Sequence, residues 1–292
     1  MPPLTRVLER LTTGVERAQV LDRPADLVQA LTSRLGPGPV KDALSGTWVG
    51  HPLHPVLVTV PIGAFSGAVV LDLVGTEKTA ARRLIGLGLA ASVPATAAGL
   101  SDWGDTEGAE RRLGLAHAAL NAVGLSLLTG SWLARRSGGG GQLLAVSGFG
   151  VLGLSGWLGG HLSYALGVGV DTTAFLEPPT EWTDACSESD VRDGLAHAVT
   201  VVDTPVLLVR DGGALRAIGD RCTHRGGPLH EGTVADGCVQ CPWHASAFDL
   251  TDGSVVRGPA TRPAPVFEAR VVDGRVQVRR DEDRALRVNP AS

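Results

Sequence analysis

The 292-residue sequence predicts two domains of different class: an all-α four-helix transmembrane bundle followed by an all-β domain. Three observations carry this. Four long apolar runs lie at about 55–74, 84–101, 113–134 and 142–168, each near the roughly 20 residues needed to cross hydrocarbon. From Ala198 the hydrophobic period switches from helical to two, with Gly-containing turns between short runs. Two Cys and two His then recur as C-x-H, sixteen residues, and C-x-x-H.

Residues 1–50 read as an N-terminal amphipathic tail without a secretory signal, because charges are spread evenly and no apolar h-region is present. Leu4, Val7, Leu8 and Leu11 recur at helical spacing, as do Leu27, Ala30 and Leu31. Two short helices are expected, lying on the membrane or against the next domain. Gly36-Pro37-Gly38-Pro39 breaks the chain after them.

Residues 51–170 read as the four-helix transmembrane domain. Charges gather between the runs, at Glu77-Lys78, from Asp102 to Arg112 and at Arg135-Arg136. Pro61 and Pro94 are tolerated in membrane helices whose neighbours satisfy the freed carbonyls. Small residues, Gly63 and Gly67 in the first run and Gly153, Gly156 and Gly160 in the fourth, are expected to let helices approach closely.

Four crossings return the chain to one side, which also receives the all-β domain. His51 and His54 open the first run there, and His117 lies one turn into the third. His161 stands about 27 Å along the fourth from its far end. All the histidines of this domain therefore fall in one leaflet. Ionisable groups inside a membrane are costly and mark functional sites by default. His117 with His161, and His54 as a third candidate, are placed to ligate a b-type haem, to hold a metal together with a carboxylate, or to bond a quinone carbonyl. The plain alternative is that they cap helix ends and bind interfacial water. His51 and His54 each precede Pro, which pushes a residue out of the α region.

Residues 171–197 read as a linker stiffened by Glu177-Pro178-Pro179, tethering the next domain at high effective concentration. In 198–280, strands are expected at Val199–Val202, Val206–Val209 and Leu215–Ile218, with Asp211-Gly212-Gly213 as a hairpin turn, and on both sides of Asp273-Gly274. The tail 281–292 is expected to be disordered. The second half carries 13 basic and 19 acidic groups, which argues against a nucleic-acid partner.

The arms are Cys222-Thr223-His224 and Cys241-Pro242-Trp243-His244. Two thiolates and two imidazoles suit zinc, but a zinc finger puts both Cys before both His, whereas here each arm carries one of each. That alternation suits a [2Fe–2S] cluster, with one iron on Cys222 and Cys241 and the other on His224 and His244. Here the sequence resembles the Rieske family over about 198–278, including Gly226-Gly227-Pro228, Ser246 and Gly258-Pro259-Ala260, which are similar to the family's cluster-covering loops. Two imidazoles for two thiolates raise the potential to roughly −150 to +300 mV, against about −400 mV for plant-type ferredoxin clusters. The resemblance assigns Ser246 to a cluster-bonding hydroxyl. It places Phe248 where high-potential members carry a Tyr that bonds a ligand sulfur, so a potential below the respiratory type is expected. Neither arm has the extra Cys of the respiratory disulfide, and nothing demands an oxidising compartment. Cys186 and Cys238 read as free thiols, in the linker and in a strand.

His51-Pro52-Leu53-His54-Pro55, with Asp102-Trp103 and Gly159-Gly160, resembles a bacterial four-helix membrane family with little assigned function, over about 50–170. It implies architecture rather than a reaction. Loop charges lean toward the β domain lying outside. The missing signal and disulfide favour the cytoplasmic side, and that side is expected.

The expected function is a membrane-anchored electron carrier rather than a self-contained catalyst, embedded in the lipid bilayer and passing single electrons between a membrane site, haem or quinol, and a redox partner protein. A Rieske ferredoxin serving a separate oxygenase or reductase is the alternative. A redox-sensing transporter or metal-binding bundle is the third. No histidine follows His244, so the two-histidine, one-carboxylate iron site of a terminal oxygenase lacks its histidines there, and no domain for it fits in the remaining residues.

Overall fold

The computed structural model describes residues 3–75 and 77–281. It divides into two compact units, and the division falls inside the expected tail. Residues up to Gly36 join Pro52–Val168, whereas Pro37–His51 join the residues from Gly169 onward.

The first unit is helical. The expected amphipathic helices are α1 (Pro3–Arg17) and α2 (Asp22–Thr32). Arg112 binds the Asp22 carboxylate through Nε at 2.7 Å and Nη2 at 2.8 Å, and also donates to the Glu16 carbonyl. Gln29 Nε2 donates to the carbonyls of Gly104 and Thr106. These bonds tie the two helices to the first turns of the third span and to the loop before it.

The four spans follow, with α3 (Pro39–Ser45) lying before them in the other unit. The first span is broken into α4 (Leu53–Leu57) and α5 (Thr59–Val74). The rest are α6 (Lys78–Trp103), α7 (Gly108–Arg136) and α8 (Gln142–Tyr164). All are long and apolar enough to cross a membrane, and most of each apolar window faces outward, as a lipid-solvated bundle requires.

Phe65, Ile85 and Leu128 are fully buried among alanines at the centre. Of the expected glycines only Gly67 sits at a close approach, where a Cβ would stand 3.2 Å from Leu84 of α6. A Cβ on Gly63, Gly153 or Gly156 would meet nothing within 4 Å, and on Gly160 only Tyr164 of its own helix. A closer approach is at Gly124 of α7 and Gly148 of α8, where each Cβ would press on the other's carbonyl at 3.1 and 2.9 Å. Small-residue spacing marks a helix face without saying which helix it meets. A bidentate pair, Arg135 with the Asp72 carboxylate, joins α7 to α5 with both side chains buried. Desolvation makes such a pair costly unless geometry is good, and here both oxygens are engaged.

The second unit is all-β apart from α3. A strand, β1 (Thr183–Ser187), lies inside the expected linker and carries Cys186. Then come β2 (His197–Val201), β3 (Thr204–Asp211) and β4 (Ala214–Gly219), a meander. The Gly212-Gly213 turn has both residues at positive φ, as a two-residue hairpin needs. β5 (Thr233–Ala235), β6 (Cys238–Gln240), β7 (Ala247–Asp249) and β8 (Val255–Arg257) form a second antiparallel sheet. β9 (Phe267–Val272) and β10 (Arg275–Arg280) pair around Asp273-Gly274, and β10 also pairs with β1. The expected disordered tail lies outside the described residues, except for Asp281.

Candidate metal centre

Two hairpin-like arms build the site. The first leaves β4 and the second connects β6 to β7. Each arm is closed by the same two backbone bonds. Cys222 N–H donates to the Gly227 carbonyl at 2.9 Å, and Gly226 N–H returns to the Cys222 carbonyl at 2.8 Å. Cys241 N–H donates to the Ser246 carbonyl at 2.8 Å, and Ala245 N–H returns to the Cys241 carbonyl at 3.1 Å. The fourth residue after each cysteine therefore takes positive φ, +78° at Gly226 and +60° at Ala245. Glycine accepts this without strain, whereas alanine is held there against its preference.

The cysteines are buried and the histidines half-buried, so thiols face inward and imidazoles outward. The His224 and His244 rings face each other edge-on, with centroids 5.1 Å apart. The interaction between the two thiols holds the Cys241 thiol down at about 6 and, with burial, pushes the Cys222 thiol up. The metal-free pair thus holds one thiolate with ease and resists the second until a cation arrives. Burial, then the neighbouring His244, Lys41 and Arg225, push His224 well below the usual histidine value, which keeps it neutral and ready to ligate.

A Cβ on Gly227 would stand 2.9 Å from Cys241 Sγ and 3.0 Å from the Trp243 ring, so the first arm seats directly on the second. The donor set fits a [2Fe–2S] group: paired thiols in a dry pocket, neutral imidazoles on the open side, and a glycine where a side chain would intrude.

Ser246 is fully buried and its hydroxyl accepts from Ala260 N–H at 3.0 Å. Phe248 is fully buried in the core that also contains Cys222, Cys241, Val239 and Leu250. Several residues absent from the motif support the arms. Thr223 Oγ1 donates to the Arg262 carbonyl at 2.7 Å, and Thr172 Oγ1 to the Cys222 carbonyl at 2.8 Å. Asp220 accepts from His230 Nδ1 at 2.6 Å and from its backbone N–H at 2.8 Å. No sequence pattern pointed to that bond, since its partner lies ten residues away. Thr172 carried no local signal, since its partner lies fifty residues away. Cys186 is buried on β1, and its thiol lies near Asp190 and His197, apart from the arms in sequence.

The membrane histidines have other neighbours. His117 Nδ1–H donates to the Ser155 carbonyl at 2.7 Å, and Nε2 accepts from Asn121 Nδ2 at 3.0 Å, so both ring nitrogens are engaged between α7 and α8. His161 Nε2 bonds Glu16 of α1 at 3.0 Å. His54 Nδ1–H donates to the Ala95 carbonyl at 2.8 Å, its ring seated on Gly99. His117 and His161 do not share a partner in these contacts.

Residues 181–268 match the family model described as Rieske [2Fe-2S] domain, and residues 50–172 match "Predicted membrane protein (DUF2231)". Ferredoxin CarAc of Metapseudomonas resinovorans is 36% identical over 98 residues, 33% of this chain and 92% of its own length. The anthranilate 1,2-dioxygenase ferredoxin subunit of Burkholderia cepacia is 42% identical over 74 residues, 25% of this chain and 68% of its own. Human apoptosis-inducing factor 3 is 33% identical over 94 residues, 32% of this chain, and the match spans only 16% of that protein.

Proposed function

The chain belongs to the Rieske [2Fe-2S] family, and on that premise we propose that it is a membrane-anchored one-electron carrier linking a quinol site in the bilayer to a redox partner protein. The observation that carries this reading is the pair of matched arms, with thiols together inside and imidazoles outside. Cys222 and Cys241 would hold one iron, and His224 and His244 the other. The bound cluster would take up and release single electrons.

The chain's own residues do the rest. The thiol pocket excludes water, and the closing backbone bonds fix the donors before metal arrives, which limits reorganisation. The outward imidazoles offer the route by which a proton follows the electron.

In the membrane domain, quinol is favoured over haem. A bis-histidine haem on His117 and His161 requires His117 to give up Asn121 or Ser155 and His161 to give up Glu16. A quinol needs one hydrogen-bonding imidazole, and His54 is bonded through Nδ1 alone among the contacts described.

The second reading, a ferredoxin component serving a separate oxygenase or reductase, draws on the ferredoxin names of the relatives. Membranes containing the protein separate the two. Quinol addition is expected to produce the reduced-cluster EPR signal. Reduction only by a soluble NAD(P)H reductase supports the ferredoxin reading instead. A colourless protein without acid-labile sulfide, or one binding only zinc, overturns both.

A further inference from the structure

We propose that Pro37–His51 is a built-in cover of the cluster loops, and that Lys41 acts from it as a positioning residue that favours the reduced cluster; this rests on the cluster reading above. The segment belongs to the β unit, although it precedes the first span in sequence. It is a defined structure. Pro39 opens α3, and Gly46 ends it at φ +87°.

Two hydrogen bonds fasten it to the loop after β8. Gly258 N–H donates to Asp42 Oδ1 at 3.0 Å, and Thr47 Oγ1 donates to the Ala260 carbonyl at 3.1 Å. The approach is close. A Cβ on Gly258 would collide with Thr47 Oγ1 and stand 2.9 Å from Asp42 Oδ1.

The loop so held is the one that touches both arms. Ala260 N–H reaches the Ser246 hydroxyl of the second arm, and the Arg262 carbonyl accepts from Thr223 of the first. The N-terminal segment is thus one hydrogen-bonded step from each ligand loop. Lys41 is only 8% exposed and stands next to Asp42, whose carboxylate bonds Gly258 N–H, so its charge is held near the loop that touches both arms. Lysine is rarely so buried unless its charge is paired. A fixed positive charge near the ligand loops stabilises the state with one more electron, and low local dielectric strengthens that effect.

His51 is followed two residues later by Leu53, where the first span begins, so the cover is continuous in sequence with the membrane domain.

The test uses the full chain in detergent micelles or nanodiscs. Gly258→Ala drives a methyl into the contact and is expected to speed amide exchange across residues 39–50 at least tenfold while the cluster's visible absorption remains. Asp42→Asn with Thr47→Val removes the fastening bonds without adding bulk, and serves if the first variant does not fold. Lys41→Met is expected to leave exchange of the cover unchanged and to shift the reduction equilibrium several-fold toward the oxidised form. Unchanged exchange in both cover variants, or an unchanged midpoint in Lys41→Met, overturns the proposal. If acid-labile sulfide is absent from the wild type, the electron-carrier reading has failed. Exchange of residues 39–50 in that metal-free protein then judges the cover alone.

Discussion

The β domain and the membrane bundle each gather histidines, and the two regions use them differently. In the β domain, two short loops of matched geometry bring two imidazoles edge to face beside two buried thiols. In the bundle, His117 bonds neighbours through both ring nitrogens, and His54 and His161 each bond a different helix. The first arrangement converges on a point where a metal group fits. The second distributes the rings among helix contacts. A histidine inside a membrane is therefore weaker evidence for a cofactor than its cost suggests, because a backbone carbonyl on the next helix satisfies it.

The sharpest way to break this comparison is to remove one histidine from each region. His224→Ala is expected to abolish the cluster, measured as loss of essentially all acid-labile sulfide and visible absorption. His117→Ala is expected to keep the cluster and to loosen the bundle by about 1–3 kcal/mol, since the Ser155 carbonyl and Asn121 amide lose their partner. Thermal unfolding followed by helical circular dichroism reads the second effect. Bleaching of purified His117→Ala would mean that the bundle's histidines contribute to holding the cofactor after all.

Much of this was legible from local pattern. Apolar run length announced the spans, and the paired C-x-H and C-x-x-H arms announced the donor set. The Gly212-Gly213 and Asp273-Gly274 turns marked hairpins because their residues tolerate positive φ. The Val202-Asp203 turn between β2 and β3 also takes positive φ at both residues, yet it contains no glycine and gave no signal. Pairings distant in sequence left no local trace. Nothing periodic links Asp42 to Gly258, Thr172 to Cys222 or Asp72 to Arg135. The glycines of α8 were read as a packing stripe, but those that touch α7 are Gly148 and Gly159, not Gly153 or Gly156.

Glycine substitutions carry the comparison further at smaller magnitude. Gly227→Ala places a methyl 2.9 Å from Cys241 Sγ, and roughly half or more of the iron is expected to be lost under mild chelation, as overpacking displaces a ligand. Gly156→Ala in α8 meets nothing within 4 Å, and a gain of about 0.5–1 kcal/mol in bundle stability is expected. Iron retention in the first variant equal to that in the second would deny the arms their tight fit.

Acid supplies a gentler probe of the metal-free protein. His224 is held well below the ordinary value of 6.5, chiefly by burial, so in the folded state it stays neutral where the unfolded chain already binds a proton. Stability contributed by this group is therefore present above about 6.5 and falls as pH drops from there toward the folded value. Denaturant midpoints of the metal-free protein between pH 7.5 and 5 are expected to decline, and His224→Gln is expected to flatten that decline. An equal slope in both proteins would remove His224 as the cause.

The smallest change tests how finely the β core sets the cofactor. Phe248 is fully buried in the same core as both ligand cysteines, and it has no group to donate. Phe248→Tyr adds one hydroxyl to that core. If the hydroxyl reaches a ligand sulfur, it withdraws charge from the thiolate and makes reduction easier, so the midpoint rises. If it reaches nothing, the buried hydroxyl costs about 1–3 kcal/mol of stability and the midpoint stays put. The position of β7, whose neighbour β6 runs directly into Cys241, favours the first outcome. A raised midpoint in a redox titration with unchanged thermal stability is expected. A fall in stability with no change in midpoint would show that Phe248 packs the core without tuning the iron's ligands.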